Sequence, residues 1–483
     1  MENVLKGLKP EGVFKYFEEI SYIPRCSGDE KRISDYLVEF AKKNGLDYTQ
    51  EDCLNVIIRK PASKGYENAP TVILQGHMDM VCEKNDDVQH NFCKDPLKLV
   101  VDGDMIKADG TTLGADNGIA VAYCLALLAD ETLQHPAIEA FFTIDEERGM
   151  TGVMNLNPED VKGSILINLD SEEEGEFCVS CAGGVNSIVE IKAEYTDVDS
   201  KFDGFYKVKI RGLKGGHSGG EIHKGRGNSN KIIGRVLNAF DFDFVLADIK
   251  GGAKSNAIPR EAEALIGIKN EDKSKLEEAI KQLDSTLKAE LSVTDSAVRI
   301  ELEATEIPSK IFSNDVKNSV IALLTIIING VQTMSMSIED LVESSTSLGV
   351  VKIENDVIKF VCALRSSVDS LKQYMVTQIA KAAELVGANF RTKSDYPGWE
   401  YKEASEIRDL CAKVFEEMYG KQPKIMAIHA GLECGFLKEK LGDIDMISFG
   451  PDTFDVHTPD EHVSISSVKR TYEYLLEVLK NIK

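Results

Sequence analysis

The chain has 483 residues, 43% apolar and 28% charged, with 56 basic against 80 acidic side chains and a net charge of −24. The length suits two or three domains better than one core, and the acidic excess argues against nucleic acid or an anionic membrane as a partner. No run approaches ~18 uninterrupted apolar residues, the start lacks a signal-peptide apolar region, and ten scattered cysteines suggest reduced thiols in the cytoplasm.

In chain order, a helix is expected over 30–43, where Ile33, Leu37 and Phe40 share one face. Apolar strands follow at 55–59, 71–75, 140–143 and 164–168, with an Ala/Leu-rich helix at 118–128 between the middle pair. This alternation predicts an α/β domain with helices around a mixed, largely parallel sheet. The style changes near residue 187. Residues 206–291 read strand (206–211), helix (228–240), strand (263–269), helix (275–291). Residues 297–386 repeat that order, with a strand at 298–304, a helix at 315–329, a strand at 358–364 and a helix at 370–386. The middle of the chain is therefore expected to be an inserted, internally duplicated α+β domain over 187–394. The first style returns with a helix at 404–419, strands at 424–428 and 445–448, and an amphipathic helix at 468–481. Residues 1–186 and 395–483 should then form one discontinuous domain.

Five potential metal ligands fall in apolar or Gly-rich settings along this discontinuous domain: His77, Asp116, Glu147, Asp170 and His457. Two imidazoles and three carboxylates suit zinc, cobalt or manganese, and five ligands around one bridging carboxylate suit two ions about 3.5–4 Å apart. Residues two apart on a strand face one side, so His77 can ligate while Asp79 orients its ring. Adjacent carboxylates at a strand end would point apart, leaving Glu147 to ligate and Glu146 to act as a base. Gly216-His-Ser-Gly-Gly220 fits the G-x-S-x-G pattern of serine hydrolases, but a basic, Gly-rich stretch follows it where a helix is required. The lone Cys178-Val-Ser-Cys181 lacks a second pair. His90, His135, His223 and His462 read as surface or structural histidines, whereas His429 borders Gly431 and Glu433 in a segment expected near the substrate.

The strings His77-Met-Asp79, Gly114-Ala-Asp-Asn117, Asp145-Glu-Glu147, Asn168-Leu-Asp170 and His457-Thr-Pro-Asp-Glu461 resemble the M20 metallopeptidases. Gly215-Gly-His-Ser-Gly219, Ile428-His-Ala-Gly-Leu-Glu-Cys-Gly435 and Ser448-Phe-Gly-Pro451 are similar to the aminoacyl-histidine (Xaa-His) dipeptidase subgroup within that family. The resemblance implies a cytoplasmic enzyme that cleaves Xaa-His and other dipeptides through a metal-bound hydroxide. His77 and Asp170 would hold one divalent ion, Glu147 and His457 the other, with Asp116 bridging and zinc the expected metal. It implies Glu146 as the general base, Asp79 as support of His77, and a cis bond between Asp116 and Asn117. In the inserted domain it implies His217 as donor to the oxyanion, Asn256 as a substrate contact and Arg365 as the grip on the substrate carboxylate. Gly431 and Glu433 would border the substrate. Lys269 would occupy the place of Arg365 in the other copy. A duplicated lid could supply histidine and arginine in cis, leaving either a monomer with a self-contained site or a homodimer through another surface. The rival readings are an N-acyl amino-acid deacylase of the same family, a serine hydrolase and a non-catalytic metal-stabilised scaffold.

Overall fold

A computed structural model describes residues 3–483, so the first two residues of the expected catalytic span lie outside it. The chain divides into two compact units, Met1–Ser180 with Tyr401–Ala427 and Leu432–Lys483, and Cys181–Glu400 with Ile428–Gly431.

In the first unit an eight-stranded sheet runs Asp47–Gln50, Val56–Lys60, Ile138–Thr143, Val72–His77, Ile165–Asn168, Asp445–Ser448, Glu176–Cys181, Lys424–Ile428. Its four central strands, Ile138–Thr143 to Asp445–Ser448, are mutually parallel, and Asp47–Gln50, Val56–Lys60 and Glu176–Cys181 pair antiparallel to their inner neighbours. Val72–His77 and Ile138–Thr143 are buried at every residue, which explains their unbroken apolar runs. Strand Asp445–Ser448 pairs with Ile165–Asn168, so the C-terminal piece completes the sheet begun by the head of the chain. The helix Ala115–Ala129 is apolar on all sides. It is accordingly buried, with Tyr123 stacked on Tyr472 at 5.5 Å and its hydroxyl donating to the Val468 carbonyl. Truncating Leu125, fully buried in this helix, to alanine should cost about 2–5 kcal/mol. A smaller sheet, Thr453–Phe454, His462–Ser464, Met105–Ala108, Leu99–Asp102, brackets the turn that carries His457.

The second unit is built on one antiparallel sheet in the order Arg299–Thr305, Gly204–Arg211, Ala262–Ile268, Phe244–Gly251, Val342–Glu354, Val357–Ser366, Gly183–Lys192, Asn389–Tyr396. The two halves of that order mirror each other. Gly204–Arg211, helix Ser229–Asn238, Phe244–Gly251, Ala262–Ile268, helix Lys273–Glu290 and Arg299–Thr305 form one strand-helix-strand-strand-helix-strand copy. Gly183–Lys192, helix Asn314–Ile326, Val342–Glu354, Val357–Ser366, helix Asp369–Leu385 and Asn389–Tyr396 form another with the same spatial order. They join edge to edge where Gly251 pairs with Val351. Their equivalent helices also meet, since a Cβ on Gly234 would lie 2.5 Å from that of Leu324.

This differs from the arrangement expected for residues 297–386. The strand at 298–304 belongs to the first copy, where it pairs with Gly204–Arg211 throughout its length. The second copy takes its first strand from Gly183–Lys192, so the first copy is nested inside the second. A strand between two helices has the same local pattern whichever neighbour it joins, and only long-range pairing settles the choice. The boundaries also shift from 187–394 to 181–400, because the first and last strands of the second copy, Gly183–Lys192 and Asn389–Tyr396, reach past the expected limits. Residues 428–431 join this unit through Ala182, whose N–H lies 3.0 Å from the Ile428 and Ala430 carbonyls. Lys269 and Arg365 stand four residues before their helices, at Lys273 and Asp369 respectively.

The expectation of ten reduced thiols is corrected at one pair, Cys26–Cys82, which forms a disulfide across a Cα separation of 5.7 Å. Their segments are brought together by the bridge between Cys26 and Met80, a juxtaposition invisible in the spacing. The Cys178 thiol instead donates to the Ser180 carbonyl.

Candidate metal centre

The parallel strands end where the candidate ligands gather, as expected for the carboxyl edge of an open α/β sheet. His77 is the last residue of Val72–His77, and Asp170 lies two residues beyond Ile165–Asn168. Asp116 follows Gly114, whose left-handed backbone (φ 67°) turns the chain into the long apolar helix, and the Asp116–Asn117 bond is cis. His77 Nε2 is 3.0 Å from Asp116 Oδ1 and 3.6 Å from Asp170 Oδ1. On the other side, His457 Nε2 is 3.2 Å from Asp116 Oδ2 and 2.9 Å from Glu147 Oε2. Each oxygen of one carboxylate thus faces a different histidine–carboxylate pair.

Glu146 and Glu147 are not at a strand end. The strand stops at Thr143, Asp145 turns the chain with φ 56°, and both glutamates open the single-turn helix Glu146–Gly149. Helical geometry places neighbours about 100° apart, so both carboxylates approach His77 within one group. Asp79, fully buried, holds this arrangement. One oxygen lies 3.3 Å from His77 Nδ1, and its carboxylate accepts the N–H groups of Glu146 at 3.2 Å and Glu147 at 3.4 Å.

The donor set fits divalent ions. Asp116, Glu146, Glu147, Asp170 and Glu433 interact electrostatically around two imidazoles, with no lysine among them, and Glu147 Oε1 is buried with no hydrogen-bond partner. Burial above all, then repulsion from Glu433, Glu147 and Asp116, pushes the Glu146 carboxyl up to about 8 despite His77. Burial likewise raises Asp170 well above the ordinary range, with Asp116 and Glu146 adding to it. Burial opposes ionisation of Asp116 too, but hydrogen bonds from His457 and His77 overcome it and lower its pKa. Two cations of charge +2 would relieve this excess of negative charge.

Beneath the centre, Glu433 is buried at the start of helix Glu433–Leu441 and accepts from Gln75 Nε2 (2.6 Å) and Thr143 Oγ1 (2.7 Å). Its pKa is pushed up to about 7, chiefly by burial. The position reserved for a substrate contact is therefore occupied by a group tied to the sheet under His77. Arg25, fully buried, donates to the carbonyls of Met78, Asp79 and Gly114. Nothing local in Pro24-Arg25-Cys26 marks that role.

In the second unit, strand Gly216–His217 pairs with Ala257–Ile258, and Ser218 N–H donates to the Asn256 carbonyl. His217 Nδ1 accepts from the N–H groups of Gly219 (3.3 Å) and Gly220 (3.0 Å), which leaves the ring proton on Nε2 as a donor. Burial first, then Arg365, lowers the His217 pKa, so the ring is neutral near pH 7. Ser218 Oγ is buried without a partner and only a short 3-10 turn follows, so no nucleophile elbow forms. Arg365 donates to the Tyr396 hydroxyl at 2.8 Å, while its Nε is buried and unpartnered. A Cβ on Gly219 would lie 2.5 Å from the His429 carbonyl and 2.9 Å from Arg365 Nε, and one on Gly431 2.9 Å from the Tyr396 ring. The unit therefore gathers His217, Arg365, Gly431, His429 and Tyr396. His429 is a buried neutral ring 2.7 Å from Ser345 Oγ, its pKa driven down to about 3 by burial and then by Arg365. Sequence reasoning did not single out Tyr396 or Ser345. The other histidines have structural surroundings: His135 sits on the Pro136 carbonyl, His90 against Phe92 and His462 against Phe454.

Paired histidine–carboxylate clusters at the carboxyl edge of an open α/β sheet fit a metal-dependent hydrolase of the peptidase type. The chain belongs to peptidase family M20/M25/M40, whose pattern matches residues 73–481. It is 39% identical over 480 residues to the cytosol non-specific dipeptidase of Escherichia coli (strain K12), covering 99% of both chains. It is also 39% identical to the crystallised aminoacylhistidine dipeptidase from Vibrio alginolyticus, with a TM-score of 0.95 over 99% of this chain and 98% of that one. The aminopeptidase PepT from Bacillus cereus shares the fold at 14% identity, with a TM-score of 0.57 over 98% and 99% of the two chains.

Proposed function

We propose that this chain is a cytoplasmic, two-metal dipeptidase that hydrolyses Xaa-His and other free dipeptides. The observation that carries the reading is Asp116, which turns one oxygen to His77 and the other to His457, with Glu146 beside them. The names and full-length similarity of the two dipeptidase relatives support the substrate class, and they give no support to an N-acyl amino-acid deacylase. His77, Asp170 and one oxygen of Asp116 would hold one ion, and His457, Glu147 and the other oxygen the second, most reasonably as zinc, with cobalt or manganese able to replace it. When bound, such ions acidify water and polarise the scissile carbonyl.

The residues of the chain do the rest. Asp79 fixes the His77 ring and, through the N–H groups of Glu146 and Glu147, the turn that presents both carboxylates. Glu146 takes the proton of the attacking water and returns it to the leaving amine. His217, neutral with its proton on Nε2, is suited to donate to the oxyanion. Arg365 offers an unpaired Nε for the substrate carboxylate, with Asn256 and Gly431 contributing contacts. Glu146→Gln removes the proton acceptor without removing a ligand. It should keep the bound metal yet lose about 10²–10⁴-fold or more in kcat. Activity within tenfold of the wild type would take the base role from Glu146.

A further inference from the structure

We infer that Glu461 is a positioning residue that sets the bridging carboxylate Asp116 and the histidine His457 in register, an assignment that rests on the two-ion reading above. The Glu461 side chain is 2% exposed, and its carboxylate accepts four successive backbone N–H groups. Oε2 takes those of Leu113 (2.7 Å) and Gly114 (2.9 Å), and Oε1 those of Ala115 (2.8 Å) and Asp116 (3.3 Å). These donors line the inside of the loop that delivers Asp116. Consecutive N–H groups curved round an anion by a left-handed residue, here Gly114 (φ 67°), form a strong nest.

The far side of the same loop is held by Arg25, whose Nη2 donates to the Gly114 carbonyl while Nη1 spans the carbonyls of Met78 and Asp79. The Asp116 loop is thereby fixed to the strand end that carries His77. The carboxylate of Glu461 ties it also to the turn carrying His457. That turn is closed by the Glu461 N–H donating to the Thr458 carbonyl at 3.1 Å, and it presents a His457 side chain that is 49% exposed, at a backbone φ of 63°. Glu461 is thus the side chain that links the turn carrying His457 to the loop carrying Asp116, across which His457 Nε2 meets Asp116 Oδ2. The amide nitrogen of Gln cannot accept an N–H, so Glu461→Gln leaves two of the four donors facing another donor.

The test begins with metal-free protein titrated with zinc, followed by calorimetry and, with cobalt in its place, by the visible d–d spectrum. The wild type should take two ions. Glu461→Gln should bind the second ion ten- to a hundredfold more weakly and show an altered cobalt spectrum, with Glu461→Asp intermediate. Amides of 113–116 should be protected from hydrogen exchange in the metal-free wild type and not in Glu461→Gln. Two ions of unchanged affinity and spectrum in Glu461→Gln would overturn the proposal alone. A wild type that stops at one ion would overturn the two-ion reading and this proposal with it. If Glu461→Gln does not fold, Glu461→Asp carries the titration under the same criteria. Rapid exchange of 113–116 in the metal-free wild type overturns the clamp regardless of either variant.

Discussion

Removing the metal should make the first unit increasingly unstable as pH rises from 5 to 8. In the metal-free fold the Glu146 carboxyl is pushed up to about 8 and that of Glu433 to about 7, both mainly by burial, from an ordinary value of 4.5. Asp170 is raised in the same direction. The folded state therefore holds more protons than the unfolded chain between these values, and stability must fall as pH climbs through them. Taken alone, Glu146 contributes a loss of about 3–4 kcal/mol between pH 5 and 8, and Glu433 about 2–3 kcal/mol. The two repel each other, so the shared part counts once and roughly 4 kcal/mol is expected. His457, raised to about 10 by hydrogen bonds to Asp116 and Glu147, acts with the same sign. Its stabilisation is complete below 6.5 and is lost as pH approaches 10. Asp116, with a lowered pKa, contributes stability above its ordinary 3.8 and is silent in this window. At about 2 °C per kcal/mol for a unit of this size, the chelated protein should melt roughly 8 °C lower at pH 8 than at pH 5, relative to the metal-loaded form. Differential scanning calorimetry of both forms across that range measures the gap directly. A gap that stays constant within about 2 °C, or narrows toward pH 8, would refute the picture of buried carboxylates neutralised by bound ions.

Three further outcomes are expected. Arg365→Ala should raise KM for free dipeptides by an amount worth about 2–4 kcal/mol and matter far less for C-terminally amidated substrates; equal losses on both in steady-state kinetics would remove Arg365 from the carboxylate role. Ser218→Ala, at a hydroxyl with no hydrogen-bond partner, should leave kcat/KM within about threefold in the same assay, and a large loss would revive a serine mechanism. Mixing Glu146→Gln and His217→Ala chains should restore no activity if the histidine acts on its own chain, whereas recovery on mixing would show donation in trans.

Where local chemistry sufficed, the sequence was informative. The apolar run 71–75 and the Ala/Leu stretch 118–128 announced Val72–His77 and Ala115–Ala129 because each is buried all round and has no alternating pattern to confuse. His77, Asp116, Glu147, Asp170 and His457 stood out because they interrupt such runs at element ends. What escaped depended on distant partners. The strand Arg299–Thr305 carries no local sign of pairing with Gly204–Arg211, so tandem repetition and the nesting of one copy in the other look alike in the sequence. Asp145 in a left-handed turn converted an expected strand end into a helical turn. Arg25 acts through backbone carbonyls more than 50 residues away, and Tyr396 through a hydrogen bond to Arg365. Neither leaves a spacing to recognise.

The central claim is that this chain cleaves free dipeptides with bound divalent ions, and one assay addresses it. Hydrolysis of Xaa-His and other dipeptides, their N-acetylated forms and matching tripeptides is followed before chelation, after chelation, and after adding back zinc, cobalt or manganese. The account predicts rapid cleavage of free dipeptides, little or none of the N-acetylated forms, loss of activity on chelation and its return with metal. Dipeptide cleavage untouched by an effective chelator, or a clear preference for N-acetylated amino acids, would contradict it.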